Sequence, residues 1–259
     1  MVDKREPTNK ANLLHGIVIS SAIDVGKITE IKVPPLDNNY VLVAARDIQG
    51  TNRVRVLDNA TTLLTSSQVS YRNQPILALF GYDSESVQLK SREISISYEE
   101  PFTEGPSANI SSKSEQIVSV PYTYRYGNME TSTSDETLLT MERTYRFSGN
   151  GYSNNNITRI TVDIEDDKLH VYMPTQWPAH VRETISEVTT FPKKRIVIHR
   201  QPFYAPHDEM LLGPTHLASI AAVASIKAQC PVELQCKIES HRPDITIQRK
   251  SWFFPDGKP

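Results

Sequence analysis

Thr175-Gln176-Trp177-Pro178-Ala179-His180-Val181-Arg182 stands between an alternating apolar strand and an amphipathic helix. Upstream, residues 157–164 and 168–173 alternate as two strands of a hairpin that turns through Glu165, Asp166 and Asp167. Downstream, Trp177, Val181 and Ile185 recur at i, i+4 and i+8, an apolar stripe at helical period that places Trp177 in the core. A strand is then expected over 194–199 and an Ala-rich core helix over 215–227. Two more strands follow, over 232–238 and 245–254. This order of elements reads as a mixed α/β protein.

Working outward, residues 13–99 form a run of short strands with one helix. Strand patterns cover 16–19 and 27–33, and the apolar runs 40–45 and 75–81 suit central strands covered on both faces. Ser84 is the expected N-cap of a helix reaching Arg92, and Ile94, Ile96 and Tyr98 then share one strand face. Residues 100–114, rich in Pro, Ser, Gly and Asn, read as a linker. Beyond it, 115–122 is a strand that Pro121 ends or confines to an edge. The 138–147 strand carries Leu139, Met141, Tyr145 and Phe147 on one side, with Arg143 interrupting. Turn chemistry at Pro255-Asp256-Gly257-Lys258 implies that the 245–254 strand is an edge or is completed by a second polypeptide.

The 259 residues are 38% hydrophobic and 22% charged, ordinary for one or two folded domains. A net charge of -2 gives no footprint for nucleic acid. No apolar run has the length of a bilayer span, and the N-terminal Met1-Val2-Asp3-Lys4-Arg5 lacks the apolar stretch of a signal peptide. The expectation is a cytoplasmic protein without membrane or nucleic-acid partners. Cys230 and Cys236, if on one strand, are about 20 Å apart, too far for a mutual disulfide. No P-loop, dinucleotide fingerprint or nucleophile elbow occurs.

The TQWP-x-x-VR pattern of residues 175–182 resembles the molybdenum-cofactor-binding subunits of the xanthine dehydrogenase and aldehyde oxidase family. Four N-terminal segments resemble its α/β hammerhead domain. They are Gly16-Ile17-Val18-Ile19-Ser20-Ser21 with Gly26-Lys27-Ile28, then residues 41–52 ("vvtA-DIPG-N"), residues 69–79 ("V-Y-GQPVALV") and residues 96–101 ("VEYEPL"). The implied fold class is α+β: a hammerhead domain over 1–99, a linker over 100–114, and an incomplete mixed α/β molybdopterin-binding-like domain over 115–259.

Two departures from the family pattern bear on activity. Where the family has a GGGFGGKE loop, this chain reads Gln201-Pro202-Phe203-Tyr204-Ala205-Pro206-His207-Asp208-Glu209. The lost glycines would let backbone approach a cofactor, and two prolines stiffen their replacement. The family's "GGQ-H-ylE" segment is replaced by residues 148–156, with Asn150 where a cofactor-contacting glutamine is expected. The resemblance thus implies cofactor-site positions at Asn150, Phe203, Tyr204 and Glu209, and no catalytic or metal-binding residue. Glu209 is read as a substrate-orienting carboxylate or, preferably, as an acid at a helix N-terminus. His207, Asp208 and Glu209 form a solvated loop sooner than a metal cluster. Phe203 and Tyr204 either plug the old cofactor cavity or dock a partner. Arg182 and Arg200 are candidate phosphate ligands or surface ion pairs.

The function implied is that of a small, non-catalytic subunit or fragment of a split xanthine dehydrogenase-type molybdenum hydroxylase. It would complete the fold of the cofactor-binding subunit, with iron–sulfur and flavin chains as further partners. The chain alone is expected to bind no cofactor, a complex leaves room for molybdopterin, and homo-oligomerisation stays open. The alternatives are an inactive paralogue serving as a binding or assembly module, and a truncated product.

Overall fold

The computed structural model describes residues 12–56, 59–99, 139–147, 153–201, 209–239 and 245–253. The N-terminal elements are β1 (Leu14–Ser20), β2 (Gly26–Lys32), β3 (Tyr40–Ala44), β4 (Arg53–Val56), β5 (Asn59–Thr62), β6 (Gln68–Val69), β7 (Pro75–Gly81), α1 (Ser84–Arg92) and β8 (Ser95–Glu99). After them come β9 (Leu139–Phe147), β10 (Ser153–Glu165), β11 (Lys168–Pro174), α2 (Pro178–Thr189), β12 (Ile196–Gln201), α3 (Glu209–Ala228), β13 (Val232–Glu239) and β14 (Ile245–Phe253). Contacts group the chain into two compact units.

The larger unit is drawn from Met1–Phe102 and Ser153–Ile238. Its centre is a seven-stranded sheet in the order β12-β11-β10-β13-β1-β7-β3. The joint is a parallel pairing of β1 with β13, Leu14 opposite Val232 and Gly16 opposite Leu234. Strands from both sides of residues 100–114 therefore share one sheet.

Alternation along each strand divides the side chains between the two faces of this sheet. One face is apolar throughout. Leu14, Val43, Phe80, Val162, Val171, Met173 and Val232 pack with Val181 and Ile185 of α2 and with the Ala-rich flank of α3. The stretch Leu211–Ala228 reaches a mean hydropathy of 1.2, enough by length and composition to cross a membrane, but 61% of it is buried within this fold. The other face changes character along the sheet. Ile17, Ile19, Leu77, Leu79 and Leu42 build a second core with Val87 of α1 and Ile28 of β2. β2 belongs to a separate three-stranded sheet, β6-β2-β8. Across β13, β10, β11 and β12 the same face carries Glu233, Thr161, Asp163, His170, Tyr172 and His199.

Local chemistry explains most boundaries. Asp83 rather than Ser84 caps α1, its carboxylate accepting from the Ser86 N–H at 2.7 Å. The β10–β11 hairpin turns as expected, with Asp166 and Asp167 at φ 50° and 60°, the left-handed pair of a tight hairpin turn. Thr190 ends α2 in the left-handed region, at φ 59°. Three side-chain bonds secure that end: Thr189 Oγ1 to the Ile185 carbonyl, Phe191 N–H to Thr189 Oγ1, and Ser186 Oγ to the Phe191 carbonyl. The last turn of α2 also receives a loop from the N-terminal region. Gly50 N–H donates to Val188 O at 2.9 Å and Thr51 N–H to Glu187 O at 2.8 Å.

The smaller unit is drawn from Thr103–Tyr152 and Glu239–Pro259. Its described part is an antiparallel ribbon in which β9 and β14 pair from Leu139–Phe253 to Phe147–Ile245. The partner expected for the 245–254 strand is thus supplied by this chain. Leu139, Met141, Tyr145, Phe147 and Ile247 lie exposed on one side of the ribbon. The strand face read from the sequence is present, with Arg143 opposite Arg249 as its interruption.

Candidate functional site

β11 and β12 run parallel and end together, Pro174 opposite Gln201. In open α/β sheets the carboxyl ends of parallel strands are where ligands bind. The 175–182 segment leaves from one of these ends and opens α2. Residues 202–208, which follow β12, lie outside the described residues, as does Asn150, so Phe203, Tyr204, His207, Asp208 and Asn150 receive no placement. Glu209 is placed by its backbone as the first residue of α3, with its side chain outside the described set.

The described polar groups at this edge hold the fold together. Thr175 is buried, and its hydroxyl accepts from the Trp177 N–H at 3.0 Å, shaping the turn into α2, where Pro178 occupies the first helical position. Trp177 is 36% exposed, so it does not join the core stripe that Val181 and Ile185 continue. It stands at the cap position, one residue before the helix begins, and its ring stacks on His180 at 4.4 Å. His180 Nε2 lies 2.7 Å from the Arg55 carbonyl and therefore carries the proton. Its Nδ1 then faces the Thr215 hydroxyl of α3 at 3.4 Å. Arg182 Nε donates to the Ile196 carbonyl at 3.1 Å, tying α2 to β12. That bond makes Arg182 a strut between the two elements. Arg200 is exposed on β12.

His216, half-buried on α3, meets Thr61 Oγ1 at 2.9 Å. Burial, with His180 nearby, lowers its pKa to about 4, so it is neutral near pH 7. Together His180 and His216 fasten the β4–β5 hairpin to α2 and α3.

The second polar group is the buried half-face of the sheet. His170 Nδ1 and His199 Nε2 are 2.9 Å apart, one donating and one accepting, and Tyr172 stacks on His199 at 4.4 Å. Burial and then His199 hold the His170 pKa below its usual value. Burial, with Glu165 adding, pushes the Asp163 carboxyl up against the opposing Ile164 N–H and His170. Neighbouring Glu233 is gathered by His15, Arg159 and Gln235. Cys230 is held above its usual pKa by burial and by Asp163, which leaves it an unreactive thiol. No group of three or more His, Cys, Asp or Glu side chains could hold a metal among the described residues.

Sequence reasoning missed both groups. The parity of His170 and Tyr172 was readable, but their partner His199 enters through the β11–β12 register, which no local pattern reports.

The family described as molybdopterin cofactor-binding domain matches residues 110–247, more than half of the chain. The chain belongs to this family. Among relatives, aldehyde oxidase 2 of Macaca fascicularis is 27% identical over 213 residues, covering 82% of this chain and 15% of its own length. The fold is that of part of the aldehyde oxidoreductases from Desulfovibrio gigas (TM-score 0.71, 15% identity) and Desulfovibrio desulfuricans (TM-score 0.72, 13% identity). Each comparison covers 96% of this chain and 30% of the larger one. A CO dehydrogenase from Oligotropha carboxidovorans also matches, at a TM-score of 0.65 over 88% of this chain and 32% of its own. The α+β class and the molybdenum hydroxylase resemblance read from the sequence both hold.

At the β11–β12 edge several described polar side chains are taken up by the fold itself. Thr175, His180 and Arg182 are each committed to backbone or to a neighbouring side chain. Gly16, Gly50 and Gly81 press against this protein's own atoms, so none of them opens a cradle for a ligand.

Proposed function

We propose that this chain is a small, non-catalytic subunit or fragment of a split molybdenum hydroxylase of the xanthine dehydrogenase type, one that completes the fold of the cofactor-binding subunit. The observation that carries this reading is the stretch 201–209, where prolines and aromatics stand in place of the family's glycine-rich cofactor loop. Nearly all of this chain, 96%, superposes on an aldehyde oxidoreductase, yet it spans only 30% of that enzyme. In this reading hydroxylation and the catalytic carboxylate belong to another chain, and molybdopterin associates with the complex through that chain. Iron–sulfur and flavin chains complete the assembly, which is cytoplasmic. Residues 1–99 are the hammerhead domain, 100–114 the linker and 115–259 the partial cofactor domain. Asn150, Phe203, Tyr204 and Glu209 line the side of the cofactor cavity that this chain contributes.

The commitment of Thr175, His180 and Arg182 to the fold favours one second reading, an inactive paralogue acting as a binding or assembly module. Affinity purification from source cells, with partner mass spectrometry and elemental analysis, separates the two. Stoichiometric partners carrying molybdenum and iron establish the subunit. A metal-free protein without such partners sinks that reading and leaves the module.

A further inference from the structure

The segment joining β5 to β7, together with the start of β4, lines an open cleft of ≈ 360 Å³. Its lining includes Arg53, Thr62, Ser66, Ser67, Ser70 and Gln74, and it contains no carboxylate. Gln74 is only 3% exposed. Its Oε1 accepts the Ser70 N–H at 2.7 Å, which fixes the orientation of the amide, because a backbone donor must face the oxygen. The Nε2 end, with two N–H donors, has no hydrogen-bond partner among the described residues.

This amide is held in place. The Gln74 backbone carbonyl accepts from Ser21 N–H at 2.9 Å, and its backbone N–H donates to the Tyr71 carbonyl at 3.3 Å, fixing the root of the side chain. Asn52 clamps the rim by bonding both the carbonyl and the N–H of Leu64. A buried donor left unmade is costly, and native structures keep such groups where a ligand or a water completes them. At the mouth, Arg53 is exposed and makes no ion pair among the described residues. A fixed amide donor, serine hydroxyls, a guanidinium and no acidic wall form a donor-rich surface complementary to an oxoanion.

We propose that this cleft binds a small oxoanion, either inorganic phosphate or the phosphate group of a small metabolite. The proposal rests on the cleft alone and is independent of the hydroxylase reading. The test titrates the full-length chain with inorganic phosphate, glycerol phosphate and acetate while following the Gln74 side-chain amide by NMR. Phosphate is expected to shift those resonances saturably, and tighter binding of glycerol phosphate assigns the metabolite source. Arg53→Gln, an exposed change that leaves the fold intact, is expected to weaken binding about tenfold or more through loss of charge-assisted hydrogen bonds. Gln74→Glu keeps the acceptor for Ser70 but replaces the donor with a carboxylate oxygen, and is expected to abolish binding. A Gln74 amide indifferent to phosphate at tens of millimolar would show that water alone satisfies it. Equal binding by Arg53→Gln, or acetate binding as tightly as phosphate, would also overturn the assignment.

Discussion

Gly50→Ala should cripple the junction between the N-terminal loop and α2. A Cβ at Gly50 would sit 1.9 Å from the Glu187 carbonyl oxygen and 3.0 Å from that of Val188. Both are helix backbone, so the relief must come from the loop backing away. Retreat lengthens two hydrogen bonds, Gly50 N–H to Val188 O and Thr51 N–H to Glu187 O. Each contributes about 1 kcal/mol, and the two carbonyls left short of partners add to the loss. The expected destabilisation is about 2–4 kcal/mol, which for a unit of this size lowers Tm by on the order of 5–10 °C. Thermal and urea unfolding give the stability, and hydrogen exchange at the Gly50 and Thr51 amides gives the local opening. Thr51→Ala keeps the same N–H and serves as the control. If Gly50→Ala melts within about one degree of wild type with unchanged exchange at both amides, the close approach is not what holds this junction.

Gly16→Ala drives a Cβ to 2.3 Å from the buried Phe80 ring, so it should cost about 1–3 kcal/mol, and Phe80→Leu in the same chain should recover part of the loss in urea unfolding. Asp47 accepts from Lys227 at 2.7 Å and from Ala44 N–H at 2.8 Å, and these bonds outweigh burial to hold its pKa below 3.8. Its contribution is therefore complete above that pH and lost as pH falls through the folded value; Asp47→Asn should lower Tm at pH 7 and converge with wild type under strong acid. His216 has the opposite proton preference to a paired histidine: its folded pKa, about 4, lies below the unfolded 6.5. Stability should be complete above 6.5 and fall as the pH drops from 6.5 to about 4, and His216→Gln should flatten that limb of a Tm-against-pH curve. Asp163 carries a raised pKa, so its charge opposes folding at neutral pH; Asp163→Asn should match or exceed wild-type stability at pH 7, and the gap should close as acid protonates the native carboxyl.

Strand and helix periodicity carried most of the elements into view, because burial on one face imposes it directly. The β10–β11 hairpin, α2 and the 75–81 strand stand where their patterns put them. The short β4, β5 and β6 strands escaped, since Arg53-Val54-Arg55-Val56 and the Thr-rich β5 carry too few apolar residues to set a phase. Trp177 shares the spacing of Val181 and Ile185 but precedes the first helical residue, so helical phase does not govern it. The Asp83 cap differs by one residue from the Ser84 reading, because either side chain has the chemistry and only geometry decides. At the candidate site, the roles of Thr175, His180 and Arg182 depend on Arg55, Thr215 and Ile196, all remote in sequence. Residue identity announces that such groups bond. It does not announce to what.

The parallel pairing of β1 with β13 has a consequence for biosynthesis. The second residue of β1's register to emerge, His15, waits for Glu233 before its strand gains that neighbour. Throughout translation of everything between them, β1 has β7 on one side and an open backbone edge on the other. Open edges recruit foreign strands, and closure over so long a loop is slow. Nascent chains of this protein should therefore depend on chaperone cover until β13 leaves the ribosome, and a gene fragment ending near residue 99 should yield aggregates rather than a soluble domain.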